Sequence, residues 1–159
     1  MRVHLGHVEI DDQNYRQFQN IALFSREILD TEANEIVCDG FLGGFNATEL
    51  QQVLSIICKK IRLNGELVIK DLDIDLVAKN LNRQEVSVAD MNSHVFKSRS
   101  LKSFLTLEDV ERIIPDDFQV SSKGFDENMC EFIIKANKVH NNKYSYIQTH
   151  YINALNKVS

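Results

Sequence analysis

The sequence predicts an α/β fold, a mostly parallel sheet with crossover helices that closes with an antiparallel hairpin. Three observations carry that expectation. The stretch from Glu35 to Lys70 reads as strand, glycine-rich turn, long helix, tight turn and strand, and two apolar strands joined by a crossover helix form a parallel unit. Further on, FQVSSKGF and MCEFIIKAN flank the polar turn DEN, which is the pattern of a hairpin. Finally, 159 residues with 43% hydrophobic and 26% charged positions describe one ordinary globular domain. The expected boundaries are a single α/β domain over residues 1–138 and a helical tail over 139–159.

Taken in order, MRVHL alternates Val3 and Leu5 with Arg2 and His4 and stops at Gly6, so it reads as a strand. Val8 and Ile10 extend it or open a second short strand. Tyr15, Phe18, Ile21, Ala22 and Phe24 fit a short helix, and Ser25 to Asp30 fit a further strand. Ile36 and Val37 then open a buried run that ends at Asp39-Gly40. Asn46 stands at an N-cap position with Glu49 as its capping-box partner. Leu50, Val53, Leu54, Ile57, Cys58 and Ile61 share one helical face, and Lys59, Lys60 and Arg62 complement the dipole of the last turn. Asn64-Gly65 stops that helix, and Leu67, Val68 and Ile69 resume the extended run.

Asp71, Asp73 and Asp75 alternate with Leu72, Ile74 and Leu76. At the carboxyl end of a parallel strand such a cluster lies where open α/β sheets hold ligands. Capping of a helix that begins near Ile74 accounts for at least one of the three. A calcium loop is excluded, because the required glycine and terminal glutamate are missing. Residues 82–105 have no firm period and read as a surface segment with short helical pieces. His94 and Arg99 are its residues with chemistry to offer, either as solvated side chains or as part of a lid over the sheet's carboxyl edge. Thr106 with Asp109 caps a short helix striped by Leu107, Val110, Ile113 and Ile114, which Pro115 ends. Phe132, Ile133 and Ile134 suggest a strand covered on both faces. In the tail, Tyr144, Ile147, Tyr151, Ile152, Leu155 and Val158 recur at helical spacing, a stripe that packs on its own sheet or on a second copy.

Composition removes several function classes. No run of about 18 apolar residues exists to span a membrane, and the N-terminus lacks the regions of a signal peptide. Cys38, Cys58 and Cys130 sit in apolar runs without CxxC spacing, which points to buried thiols in a reducing, cytoplasmic setting and to no metal site. A net charge of −5 argues against a sequence-independent grip on nucleic acid.

The order of elements from Glu35 to Lys138, about two thirds of the chain, resembles the carboxyl-terminal half of a small, type 11-like class I S-adenosylmethionine (SAM)-dependent methyltransferase. Glu35-Ile36-Val37 matches the opening of that family's fourth strand, and Glu49 to Leu63 matches the helix that follows. Arg62-Leu63-Asn64-Gly65 stands where the family has Lys-Pro-Gly-Gly before a fifth strand, here ELVIKD. FLTLEDVERII resembles the helix before the sixth strand, and MRVHLG resembles the opening strand, Met-Lys-Leu-Asn-Leu-Gly in small members. The resemblance implies a Rossmann-like three-layer sandwich of truncated methyltransferase topology whose amino-terminal cofactor half is short and degenerate. His7-Val8-Glu9 stands where further glycine belongs, and Leu42-Gly43-Gly44 replaces the family's Leu-Glu-His.

The implied cofactor is SAM and the implied acceptor a small molecule. Gly6 and His7 would floor the cofactor pocket, Asp11 or Asp12 would face the ribose, and Asp30 would lie near the adenine. Asp39, Gly40 and Phe41 would close the methionine side. Substrate would approach Asp71, Asp73, His94 and Arg99. Two other readings stay open. In one, the chain has lost the cofactor and acts as a binding or assembly protein, its exposed sheet edges favouring a homo-oligomer. In the other, Gly40-x-x-Gly43-Gly44 is a nucleotide-phosphate loop with Asp71 as ribose ligand, although the order of glycines departs from GxGxxG.

Overall fold

Six strands pair into one sheet in the order β2-β1-β3-β4-β6-β5. The computed structural model describes residues 1–96 and 101–140; the expected tail helix and Arg99 lie outside the described residues. The strands are β1 (Arg2–Gly6), β2 (Tyr15–Phe18), β3 (Ala33–Asp39), β4 (Ile61–Leu72), β5 (Phe118–Asp126) and β6 (Glu131–Lys138). The first four run parallel, and β6 pairs antiparallel with both β4 and β5. The sheet is therefore mostly parallel and ends in the expected hairpin. Between the strands lie α1 (Ile21–Glu27), α2 (Leu50–Lys60), α3 (Ile74–Asn82), α4 (Val88–Phe96) and α5 (Leu107–Ile113).

Strand alternation divides the sheet into two unlike faces. In register across the sheet, Val3, Ile36, Leu67 and Ala136 form one row, and Leu5, Cys38, Ile69 and Ile134 the next. These residues are buried with Phe24 of α1, Leu54 and Ile57 of α2 and Val110 of α5 in the main core. The neighbouring positions on the other face carry Arg2, His4, Glu35, Asp39 and Lys70. At the carboxyl end of the sheet, α3 and α4 enclose a second core with Leu72 and Cys130.

Three local expectations are corrected. Tyr15–Phe18 is a strand rather than the start of a helix, because Phe18 joins the main core beside Leu5 while Asn20 caps α1. The Asn20 side chain accepts from the N–H groups of Ala22 and Leu23 at 2.8 and 3.1 Å. Ser25 to Asp30 is consequently the last turn of α1 and a loop, not a strand. Third, α2 ends at Lys60 rather than at Asn64, since Ile61 already pairs with Ala33 in the core. Asn64, at φ 62°, and Gly65 form an irregularity inside β4. Gly65 is obligatory there: a Cβ would lie 2.6 Å from Ile61 Cγ2 and 2.8 Å from the carbonyl of Arg62.

A fourth correction concerns Asn46, which is not the N-cap of α2: the helix begins at Leu50 with Glu49 in the cap position and no side-chain cap bond, and Glu49 only accepts the N–H of Asn46 at 3.1 Å. The other capping expectations hold. Thr106 accepts the N–H of Asp109 at 3.2 Å and caps α5. Asp73 caps α3 through the N–H groups of Asp75 and Leu76. Cys38, Cys58 and Cys130 are free and buried. No described helix is long and apolar enough to cross a membrane.

Candidate functional site

The chain leaves β1 toward β2 on one side and comes back as β3 on the other. That reversal makes the carboxyl end of β1 a switch point, the place where open α/β sheets bind ligands. Gly6, the last residue of β1, is buried there and pairs in register with Asp39, the last of β3. A cleft of about 400 Å³ opens beside it, lined by Gly6, Val8, Glu9, Ile10, Gln17 and Gln19. Its volume falls at the lower end of the ~300–1,000 Å³ range of small-molecule sites.

The connection from β1 to β2, residues 7–14, contains no helix. Its shape is set by two side chains. Gln17 bonds both the N–H and the carbonyl of Ile10, accepting from the former at 3.0 Å. Asp12 accepts from the backbone and side-chain nitrogens of Asn14 at 2.9 and 2.8 Å, and the Asn14 bonds hold its carboxyl below the usual carboxylate range. Asp12 is thus occupied in a turn, and Asp11 is exposed outside the cleft lining. Glu9 and Gln19, which sequence reasoning missed, line the cleft instead. Gln19 directly follows β2.

Between β1 and β3 the same edge carries the rings of His7, Phe41 and Phe45. The His7 ring stands 6.0 Å from that of Phe41, which is buried and contacts Phe45 edge-on at 5.2 Å. Gly40, at φ 60°, turns the chain after β3 and donates to the carbonyl of Lys70 at 2.8 Å. Asp39 lies 3.5 Å from Lys70 Nζ and 3.8 Å from His4 Nε2. His4 is 4% exposed, and its ring fills the space a Gly6 side chain would take: a Cβ there would meet His4 Cε1 at 2.7 Å. The Nε2 atoms of His4 and His7 are both enclosed and make no hydrogen bond to another described residue.

The remaining expected residues lie elsewhere. Asp30 is bonded to Lys60 at 2.8 Å, and Lys60 lowers its carboxyl from the ordinary range. The pair immediately precedes the starts of β3 and β4, at the amino edge, so the structure does not bring Asp30 near Gly6. The seven residues of β3 separate the two edges by roughly 20 Å. Asp71 is buried and accepts from Gly43 at 3.0 Å and Leu72 at 2.9 Å, pinning the turn Leu42–Gly44 after β3. That arrangement disfavours the phosphate-loop reading, since the Gly43 N–H is taken and a carboxylate lies where a phosphate would bind. Asp73 also holds the start of α5 by accepting from Leu107 at 3.1 Å. The His94 ring bonds the carbonyl of Met129 at 2.9 Å and so faces the β5–β6 turn. Among the described residues, no group of three His, Cys, Asp or Glu side chains is placed to hold a metal.

No family model and no curated protein matches the sequence. Solved structures do. An O-methyltransferase family protein from Burkholderia thailandensis superposes with a TM-score of 0.55 at 16% identity, covering 80% of this chain and 36% of that one. The 1,6-didemethyltoxoflavin-N1-methyltransferase of the same organism gives 0.55 at 11% identity, covering 87% of this chain and 61% of that one. A magnesium protoporphyrin IX methyltransferase from Synechocystis PCC 6803 gives 0.52 at 14% identity, with coverage of 78% and 50%. The last two structures contain S-adenosylhomocysteine (SAH). This chain spans less than two thirds of the length of each. At these identities the shared property is the fold, that of the class I SAM-dependent methyltransferases.

Proposed function

We propose that this chain binds SAM at the carboxyl edge of its sheet and transfers the methyl group to a small-molecule acceptor. The observation that carries the reading is the cleft beside Gly6, which opens at the switch point of a methyltransferase-type sheet. The residues present fit the nucleoside half of the cofactor. Gly6 would give the floor, and the Glu9 carboxylate and Gln19 amide oxygen would accept hydrogen bonds from the ribose hydroxyls. Asp11, in the same loop, would add negative charge at the rim. Asp39, Gly40, Phe41 and His7 would surround the amino-acid end.

When bound, the cofactor supplies an electrophilic methyl group on a sulfonium. The protein's part is to place an acceptor atom in line with it, and positioning alone supplies much of the rate in such reactions. No nucleophile or triad is therefore required of the chain. The acceptor side would be framed by the turn Leu42–Gly44, which Asp71 holds rigid, and by α3, which Asp73 caps.

Calorimetry with SAM and SAH tests the reading. A ligand at a hundred times its dissociation constant adds about 2.7 kcal/mol of stability, so thermal unfolding should shift upward with the logarithm of ligand concentration. Glu9→Ala and Gln19→Ala should weaken binding while leaving the unliganded transition in place. Absence of any shift with either ligand at millimolar concentration would refute the proposal.

A further inference from the structure

The two faces of the sheet are not covered alike. Helices α1, α2 and α5 all enter the main core, which takes Ile36 and Cys38 of β3, Leu67 and Ile69 of β4 and Ile134 of β6 from one face. On the other face Val37 and Val68 stand side by side in the register of β3 and β4, and Ile133 of β6 pairs with Lys70 one row nearer the carboxyl edge. Val68 is buried and Val37 and Ile133 are half-buried, yet none of the three belongs to either core of the described residues. The ion pairs of Arg2 with Glu35 and of Lys70 with Asp39 flank this apolar centre. A mostly parallel sheet is ordinarily covered on both faces, so the centre of this one calls for a further layer.

The strand β6 runs antiparallel to β4 and so delivers the chain to the amino edge, where the N–H of Val139 donates to the carbonyl of Asp117 at 2.8 Å. Beyond that point the sequence repeats Tyr144, Ile147, Tyr151, Ile152, Leu155 and Val158 at helical spacing. A helix over residues 144–158 would be about 22 Å long, close to the roughly 20 Å of β3 that it would run beside. Residues 139–159 also carry Lys143 and Lys157 with no acidic residue, in a chain of net charge −5, so charge favours their return to the body of the protein.

We propose that residues 144–158 pack as an amphipathic helix on the second face of their own sheet, running from its amino edge toward its carboxyl edge, with the apolar stripe on Val37, Val68 and Ile133. A second copy of the chain is the poorer occupant. A stable dimer buries about 800 Å² on each partner around an apolar centre, whereas here a few apolar side chains sit between ion pairs that a flat partner would strip of water. A single helix covers the apolar centre and leaves the flanking charges at its rim. Being part of the same chain, it gives up no translational freedom. This interaction does not depend on the cofactor reading.

Tryptophan fluorescence of the full chain tests it. The sequence has no tryptophan, so Tyr151→Trp places a single reporter on the stripe. Its emission should be blue-shifted, and acrylamide should quench it several-fold less than in the urea-unfolded chain, at every protein concentration. Val37→Lys and Ile133→Lys, both at half-buried positions outside the cores, should raise quenching to the unfolded level while the cooperative urea transition remains. Ile147→Asp, which leaves the sheet untouched, should do the same even where a lysine variant fails to fold. Leu23→Lys, on α1 across the sheet, should leave the reporter shielded. Emission and quenching equal to those of the unfolded chain in the Tyr151→Trp protein overturn the proposal. Shielding that survives the lysine substitutions in folded chains overturns it too, because the segment then packs elsewhere. Shielding that arises only as protein concentration rises, with a dimer in sedimentation, overturns it in favour of a second copy.

Discussion

Replacing Asp73 with alanine separates a structural carboxylate from a substrate-binding one. Asp73 is 3% exposed and accepts three backbone N–H groups, from Asp75 at 3.0 Å, Leu76 at 3.1 Å and Leu107 at 3.1 Å. The first two bonds are the cap of α3, and losing a cap costs about 0.5–2 kcal/mol. The third joins the start of α5 to the end of β4, and stranding that buried N–H costs about 1–3 kcal/mol. Asp73→Ala should therefore destabilise the fold by roughly 2–4 kcal/mol. Urea unfolding followed by circular dichroism would read this as a lower midpoint with an unchanged slope. Asp73→Asn keeps one side-chain oxygen for the cap but turns an amide nitrogen toward Leu107, so it should lose about half as much. A loss below about 0.5 kcal/mol in the alanine variant, the range of ordinary surface changes, would refute the capping argument. Equal losses in the two variants would refute the division of labour between the two oxygens.

Gly65 and Gly124 should respond oppositely to alanine. At Gly65 the new Cβ collides with Ile61 and the Arg62 carbonyl and should cost about 1–3 kcal/mol by overpacking, whereas at Gly124 nothing lies within 4 Å and the midpoint should hold or rise slightly. Gly6→Ala should destabilise through His4, and His4→Ala in the same chain should recover much of that loss; a double-mutant cycle by urea unfolding measures the coupling. Burial pushes the Cys58 thiol up to about 12 from an ordinary 9.0. The folded state thus keeps a proton that the unfolded state releases, so Cys58 favours folding fully below pH 9 and loses that contribution as pH rises toward 12. Iodoacetamide at pH 8 should accordingly label Cys58 only after unfolding, as mass spectrometry would show.

Much of the fold was legible because the helix and strand periods are strong where burial is strong. The α2 stripe, the Asp73 cap and the hairpin all rest on residues whose partners are near in sequence or whose face is fully buried. Residues 15–30 were misread for a physical reason. Tyr15, Phe18, Ile21 and Phe24 satisfy a helical spacing, but Phe18 and Phe24 meet edge-on at 5.7 Å from two different elements, with Asn20 turning the chain between them. A four-residue strand has too few positions to show its own period. One cue was available: Asn20 immediately precedes the apolar run of α1, the signature of a cap. Asn64-Gly65 was misread because the same dipeptide that ends a helix also serves a left-handed bulge inside a strand, and only the pairing of Ile61 with Ala33 decides between them.

The site was less legible because glycine is silent about its reason. In a doubly wound fold, the glycine after the first strand lets a ligand approach the backbone. Here the absent Cβ of Gly6 is also demanded from inside, by the His4 ring at 2.7 Å and the Asp39 carbonyl at 3.0 Å. Either demand alone would place glycine at this position. The internal one is a consequence of His4, which sits on the same face of β1 two residues earlier and is buried against Asp39. Stability of the Gly6→Ala, His4→Ala double variant measures that internal demand. Ligand affinity of the same double variant measures the external one, because restored folding with lost binding of adenosine would assign the glycine to the ligand as well as to the histidine.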